Sequence, residues 1–171
     1  MSDTLDVVLQ RYEAAATKFI ACVDSPTLES DVFLANVGRC LADLYCCALD
    51  VPPVKSESEF PDDTPFPMEQ WTALYHSLRE KIGDKDVYWE VFDSQQKEQP
   101  IQATLSNDIS DIYFDLKKNL QLKNKGMSGA DLIWEIYFSF REHWARHALH
   151  ALNAINDLRV DDREWLGTDD E

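Results

Sequence analysis

Glycine is scarce in this chain, five in 171 residues. So low a content disfavours a turn-rich sheet protein, and no glycine-rich loop of the kind that cradles phosphate is present. Basic residues are also short: 16 Lys and Arg stand against 32 Asp and Glu, a formal net charge of −16. Such a surface repels nucleic acid and anionic membranes, which argues against a binder of either. Cysteine is limited to Cys22, Cys40, Cys46 and Cys47, with no CxxC pair and no zinc-ribbon spacing. The vicinal Cys46 and Cys47 cannot easily bridge, and Cys40 and Cys47 lie two helical turns apart, roughly 10 Å. All four read as reduced core fillers in a cytoplasmic protein. The opening MSDTLD has neither the basic nor the apolar region of a cleaved signal peptide, and no uninterrupted apolar run reaches membrane-spanning length. Internal repeats and a nucleophile elbow are absent too, and no cofactor is implied.

What is present is enough for a core. Hydrophobic residues make up 44% and aromatics 11% of the chain, too rich for disorder. The length suits one domain, and the expected fold class is all-α, a single-domain bundle of about five helices. Leu5, Val8, Leu9, Tyr12, Ala16, Phe19, Ile20 and Val23 carry the helical period over about 4–23, and Asp24-Ser25-Pro26 stops it. A second helix is expected over about 28–49, with Arg39 and Asp43 paired in solvent opposite its apolar stripe. Five of the seven prolines then fall between positions 52 and 67, where neither regular helix nor sheet is possible. Phe60 and Phe66 in that stretch predict an ordered loop strapped across the bundle. Helix three follows over about 68–83 and ends at Gly83; residues 84–104 read as a short strand or irregular crossing. Ser106 is the expected cap of helix four, with Asn107 and Asp108 in its first turn. Ser128 and Asp131 resemble a capping box for a long last helix reaching about Leu158. Residues 159–171 read as an acidic tail.

That last helix is apolar around most of its circumference at roughly 100° per residue. One stripe is Ile133, Tyr137, Phe140, Trp144, Ala148, Ala151 and Ile155; a second is Trp134, Phe138, Ala145 and Leu152, and only Asp131, Glu135, Glu142 and Asn153 look solvated. The pattern predicts a helix surrounded by others, the hub of the bundle. Arg141 falls inside the second stripe, so burial is expected to pair it with Asp111, Asp115 or Asp43. It would then be either a salt bridge between helices or an anion hook at a pocket floor.

Three of the four histidines lie in HWARHALH, residues 143–150. His143, His147 and His150 share one helix side, at the border of the core. His143 and His147 have the i, i+4 spacing of a helical metal pair, but Trp144 stands where HExxH has its glutamate, so zinc-protease chemistry lacks its general base. Asp108, Asp111 and Asp115 share one side of helix four, and carboxylates and histidines from facing helices are how bundle metal sites are built. Boundary histidines that simply hydrogen-bond neighbouring carboxylates explain the same residues.

LADLYCCAL (41–49), YWEVFD (88–93), SNDISDIYFDLKKNL (106–120) and WEIYFSFREHWARHALHALNAI (134–155) occur in that order. Together they resemble a bacterial domain family of unknown function with L-x-x-L-Y-x-x-A-L, D-I-Y-x-D-L-K and W-x-x-x-F-x-F-x-x-H-W-x-x-H segments. The resemblance brings no activity, cofactor or partner. It marks Tyr113, Asp115, Trp134, Phe138, Phe140, His143, Trp144 and His147, and it leaves His150 outside its last segment.

The expectation is therefore an acidic, mainly helical protein that acts by binding, with a basic protein as partner, as an immunity or adaptor protein would. It is expected to purify without stoichiometric metal. Asp111, Tyr113, Asp115, Arg141, His143, Trp144 and His147 are the candidates for a pocket or polar network. The competing expectation is a metal-binding protein or metal-dependent enzyme using Asp111, Asp115, His143 and His147. An accessible cavity receiving those side chains would favour the second; burial with every hydrogen bond satisfied would favour the first.

Overall fold

The structure, a computed structural model, describes residues 2–26, 29–58, 66–91, 97, 99–127 and 129–161. Expectations that fall on Phe60, Ser128, the acidic residues 59–63 and the tail from 162 onward lie outside these residues. The elements are α1 (Ser2–Val23), α2 (Ser30–Leu49), α3 (Met68–Ile82), β1 (Val87–Glu90), β2 (Ile101–Thr104), α4 (Leu105–Asn124), α5 (Gly129–Ser139), a π-helical turn (Phe140–Trp144) and α6 (Ala145–Asp161). With α5, the π turn and α6 taken as one long helix, this is the expected five-helix domain. Among the described residues the sheet is one antiparallel pair of strands, with Tyr88 opposite Ala103 and Glu90 opposite Ile101.

The helical period decides which faces are buried. Tyr12, Ala16, Phe19 and Val23 of α1 pack with Phe33, Val37, Leu41 and Leu44 of α2 in one core. By length and composition alone α2 is apolar enough to cross a membrane, but much of that apolar surface is spent on packing against α1 and α6. At Gly38 an added Cβ would come within 3.3 Å of Ile155 Cγ2, so the glycine lets α2 and α6 approach closely.

The hub is α4, not the last helix. It packs on α1, α3, α5, α6 and β2 and buries Leu105, Ile109, Ile112, Leu116 and Leu122. The last helix is not covered all round. Ile133, Ile136, Phe140, Trp144, Ala148, Ala151 and Ile155 are buried, while Trp134 is half-buried and Phe138 is 47% exposed. Those two rings stack on each other, with centroids 5.0 Å apart, which shelters apolar area that no neighbouring helix covers. Arg141 is exposed with them. Among the described residues it meets none of its expected partners: Asp115 holds His143, Asp111 holds Trp71 and Asn107, and Asp43 holds Lys18 in place of Arg39.

The strip read as solvated is partly buried. Glu135 is enclosed and takes an ion pair from Lys118 at 2.6 Å. Asp131 lies under the proline-rich loop, where Ser56 Oγ, Glu57 N and Ser58 N donate to its Oδ1 and Ser58 Oγ donates to its Oδ2. Four donors favour the ionised form and hold the Asp131 carboxyl far below the usual range. The strap is thus an anionic clasp, and the acid reads as solvated only if the loop is left out.

The cap of α4 also differs from expectation. Thr104 Oγ1 accepts from Asn107 N at 3.3 Å, so Thr104 is the cap. Ser106 sits two residues inside the first turn, buried, where its N and Oγ donate to Asp86 at 2.7 and 2.9 Å. A buried carboxylate at the positive end of the hub helix offsets free amides there and ties the hairpin to α4.

Candidate functional site

Asp108, Asp111 and Asp115 recur at i, i+3 and i+7 on α4. His143, His147 and His150 recur at i, i+4 and i+7 across the π turn and α6. The two rows face each other antiparallel. His143 Nδ1 lies 2.8 Å from Asp115 Oδ2, and His147 Nδ1 lies 2.8 Å from Asp108 Oδ1. His147 Nε2 points to Asp111 Oδ2 at 3.5 Å. His150 Nδ1 is 2.5 Å from Glu90 Oε2, supplied by β1. In each Nδ1 pair the carboxylate fixes the ring; the Nε2 of His147 already faces Asp111.

The hairpin completes the network. On β1 Tyr88 and Glu90 point inward and Trp89 outward, as strand alternation requires. Tyr88 O–H reaches Asp108 Oδ2 at 2.5 Å and Glu90 Oε2 at 3.1 Å, so one phenol proton serves two carboxylates. Burial, then Asp108, pushes the Tyr88 phenol well above its usual range. Burial also pushes the Asp108 carboxyl up, against the pull of His147 and Tyr88. The hydrogen bond to Asp115 raises the His143 pKa. Asp111 is fixed at both oxygens: Trp71 Nε1 donates to Oδ1 at 2.8 Å and Asn107 Nδ2 to Oδ2 at 2.9 Å.

Glu90, Asp108, His143, His147 and His150 open on a cleft of about 630 Å³ walled by Trp71, Tyr75, β2 and the exposed edge of α6, with Asp111, Asp115 and Tyr88 outside its lining; the volume is within the size range of small-molecule sites. The π turn lies along it. This wide turn keeps Phe140 and Trp144 in the core while Arg141, Glu142 and His143 face out, and such turns recur at functional sites. Among the described residues, Asp111, His143 and His147 bring one ligand atom each within 4.8 Å of one another.

Of the candidates read from the sequence, Asp111, Asp115, His143 and His147 do converge. Asp115 stands behind His143 and its carboxylate is spent on that ring. Tyr113 turns away and donates to Asp24 Oδ1 at 2.8 Å. Trp144 is wholly buried, its Nε1 without a hydrogen-bond partner among the described residues, and it is a core residue. Arg141 does not line the cleft. Sequence reading missed Trp71, Tyr88, Glu90 and Asn107 and set His150 aside. Tyr88 and Glu90 stood in the quoted YWEVFD segment, but their inward direction depends on a hairpin register that four residues cannot specify.

The chain belongs to the family described as a domain of unknown function (DUF5063), matched over residues 4–161. No curated protein is significantly similar to it. Its fold is similar to the crystal structure of protein BF1032 from Bacteroides fragilis, with a TM-score of 0.75 and 19% identity over 88% of this chain and 91% of that one.

Proposed function

We propose that this protein binds a divalent transition-metal ion in the cleft, through Nε2 of His143, Nε2 of His147 and the Asp111 carboxylate, and that the site is that of a metal-dependent enzyme. One observation carries the reading: two imidazoles, each held at Nδ1 by a carboxylate, bring ligand atoms within 4.8 Å of each other and of a third carboxylate, Asp111, towards which His147 turns its Nε2. Ligating histidines are oriented in this way, by a carboxylate on the second nitrogen, and ligating carboxylates are themselves hydrogen-bonded, as Asp111 is. Three protein ligands leave coordination positions open to the cleft, the hallmark of catalytic rather than structural sites. Two nitrogens and one oxygen suit zinc, iron(II) or manganese(II).

The non-catalytic adaptor favoured by composition rests on the −16 charge alone; the accessible cleft supports its competitor. Elemental analysis after stripping and reloading tests the reading. We expect about one ion per chain, lost in the His143→Ala/His147→Ala double variant. Wild-type protein that takes up no metal at micromolar concentration would sink it.

A further inference from the structure

The cleft holds a third imidazole that this ligand set leaves out. His150 is clasped at Nδ1 by Glu90, at 2.5 Å, in the manner of the other two, and lines the same cleft. Its nitrogens are not among the ligand atoms gathered within 4.8 Å. An imidazole with its tautomer set by a carboxylate, lining the same cleft as the two proposed ligand histidines but outside their cluster, is placed for proton transfer.

We propose that His150 is the general base of a hydrolytic reaction in this cleft, with Glu90 as its positioning residue, on a small neutral or cationic acyl substrate, an ester or amide. The inference rests on the metal reading above. Charge selects the substrate class. The lining carries Glu90, Asp108 and Glu142 against Arg146 as the one guanidinium, with Asp111 beside them. A divalent ion does not reverse that balance, so a phosphate ester would enter against a negative wall while a neutral or cationic acyl group would not. Tyr75 and Trp71 add an aromatic wall that suits an apolar or cationic group.

The step balances without an oxidant or reductant. His150 Nε2 takes a proton from a water as the water oxygen bonds to the acyl carbon. The bond from that carbon to the leaving oxygen or nitrogen then breaks, and the proton passes to the leaving atom. One water is consumed; a carboxylic acid and an alcohol or amine are released. An ion held by Asp111, His143 and His147 would supply polarisation of the acyl oxygen, and Glu90 stabilises the imidazolium that forms on His150.

The test uses the full chain with and without zinc on para-nitrophenyl acetate, acetylthiocholine and bis(para-nitrophenyl) phosphate, with zinc content measured in every sample. We expect zinc-dependent cleavage of the two acyl esters, at least about tenfold faster than of the phosphodiester. His150→Gln should lower kcat about 100-fold or more, the range of general-base loss, with zinc content unchanged. Glu90→Gln should lower kcat with little change in KM, a split that a merely structural residue would not give. If either variant is misfolded by circular dichroism, the other decides. Zinc-loaded protein that cleaves neither acyl ester, or cleaves the phosphodiester as fast, overturns the proposal, as does a folded variant with full turnover. Failure to take up zinc overturns the metal reading instead, and is seen in the metal content before any substrate is added.

Discussion

Single residues here are defined by the proton or lone pair they have left to offer. Asp111 has both oxygens occupied, by Trp71 and Asn107, so Trp71→Phe removes a donor without touching a proposed ligand. We expect metal affinity to fall about 10- to 100-fold, the usual effect of losing such an outer partner. Calorimetric titration with zinc, on protein shown to be folded, checks this; unchanged affinity would count against Asp111 as a ligand. Arg141 makes the opposite case. Read from the sequence as buried, its loss would cost about 3 to 5 kcal/mol; as an exposed side chain it should cost less than about 1 kcal/mol when changed to Ala. Denaturant melts separate the two. The amphipathic stripe that misled the reading is real, but the helix lies at the edge of the bundle, so the stripe meets solvent.

At the scale of elements, two contacts hold segments that periodicity does not describe. The first is the Asp131 clasp on residues 56–58. The folded-state pKa of Asp131 is depressed, so its contribution is fully present above the unfolded value, about 3.9. It is lost as pH falls from there through the folded pKa. We therefore expect amide protection at Glu57 and Ser58 to be high at neutral pH, to fall below about pH 4, and to be absent at any pH in Asp131→Ala. Protection in that variant equal to wild type would show that the loop is held by something else. The second is the close approach of α2 and α6 at Gly38. Gly38→Val would wedge these helices apart and cost about 1 to 3 kcal/mol, the range for overpacking. Urea unfolding measures it, and a loss under about 0.5 kcal/mol, the range of surface substitutions, would mean that Ile155 simply moves aside.

For the whole molecule, the −16 charge acts over distances that no single contact reaches. If it serves recognition of a basic protein, association with a polybasic probe should slow steeply as salt rises from about 10 mM, where screening extends about 30 Å, to about 1 M, where it extends about 3 Å. Stopped-flow rates that do not respond to salt would reduce the charge to a solubility coat.

The helices, their apolar stripes, their stops at Asp24-Ser25-Pro26 and Gly83, and the facing rows of aspartate and histidine were legible in the sequence because they depend on local period. A helix repeats every 3.6 residues whatever it packs against, so Asp108, Asp111 and Asp115 share a side before any tertiary contact exists. What covers each side is a different matter. Whether α4 or the last helix is the hub, whether Asp131 meets water or a serine loop, and whether Arg141 is buried all depend on the order in which helices stack. So does the bringing of Trp71, Tyr88, Glu90 and Asn107 from three elements to one cleft. Such contacts join residues far apart in the chain, 75 positions for Ser56 and Asp131 and 89 for Asp24 and Tyr113. No local pattern encodes that separation, because the free energy that selects it belongs to the packed whole.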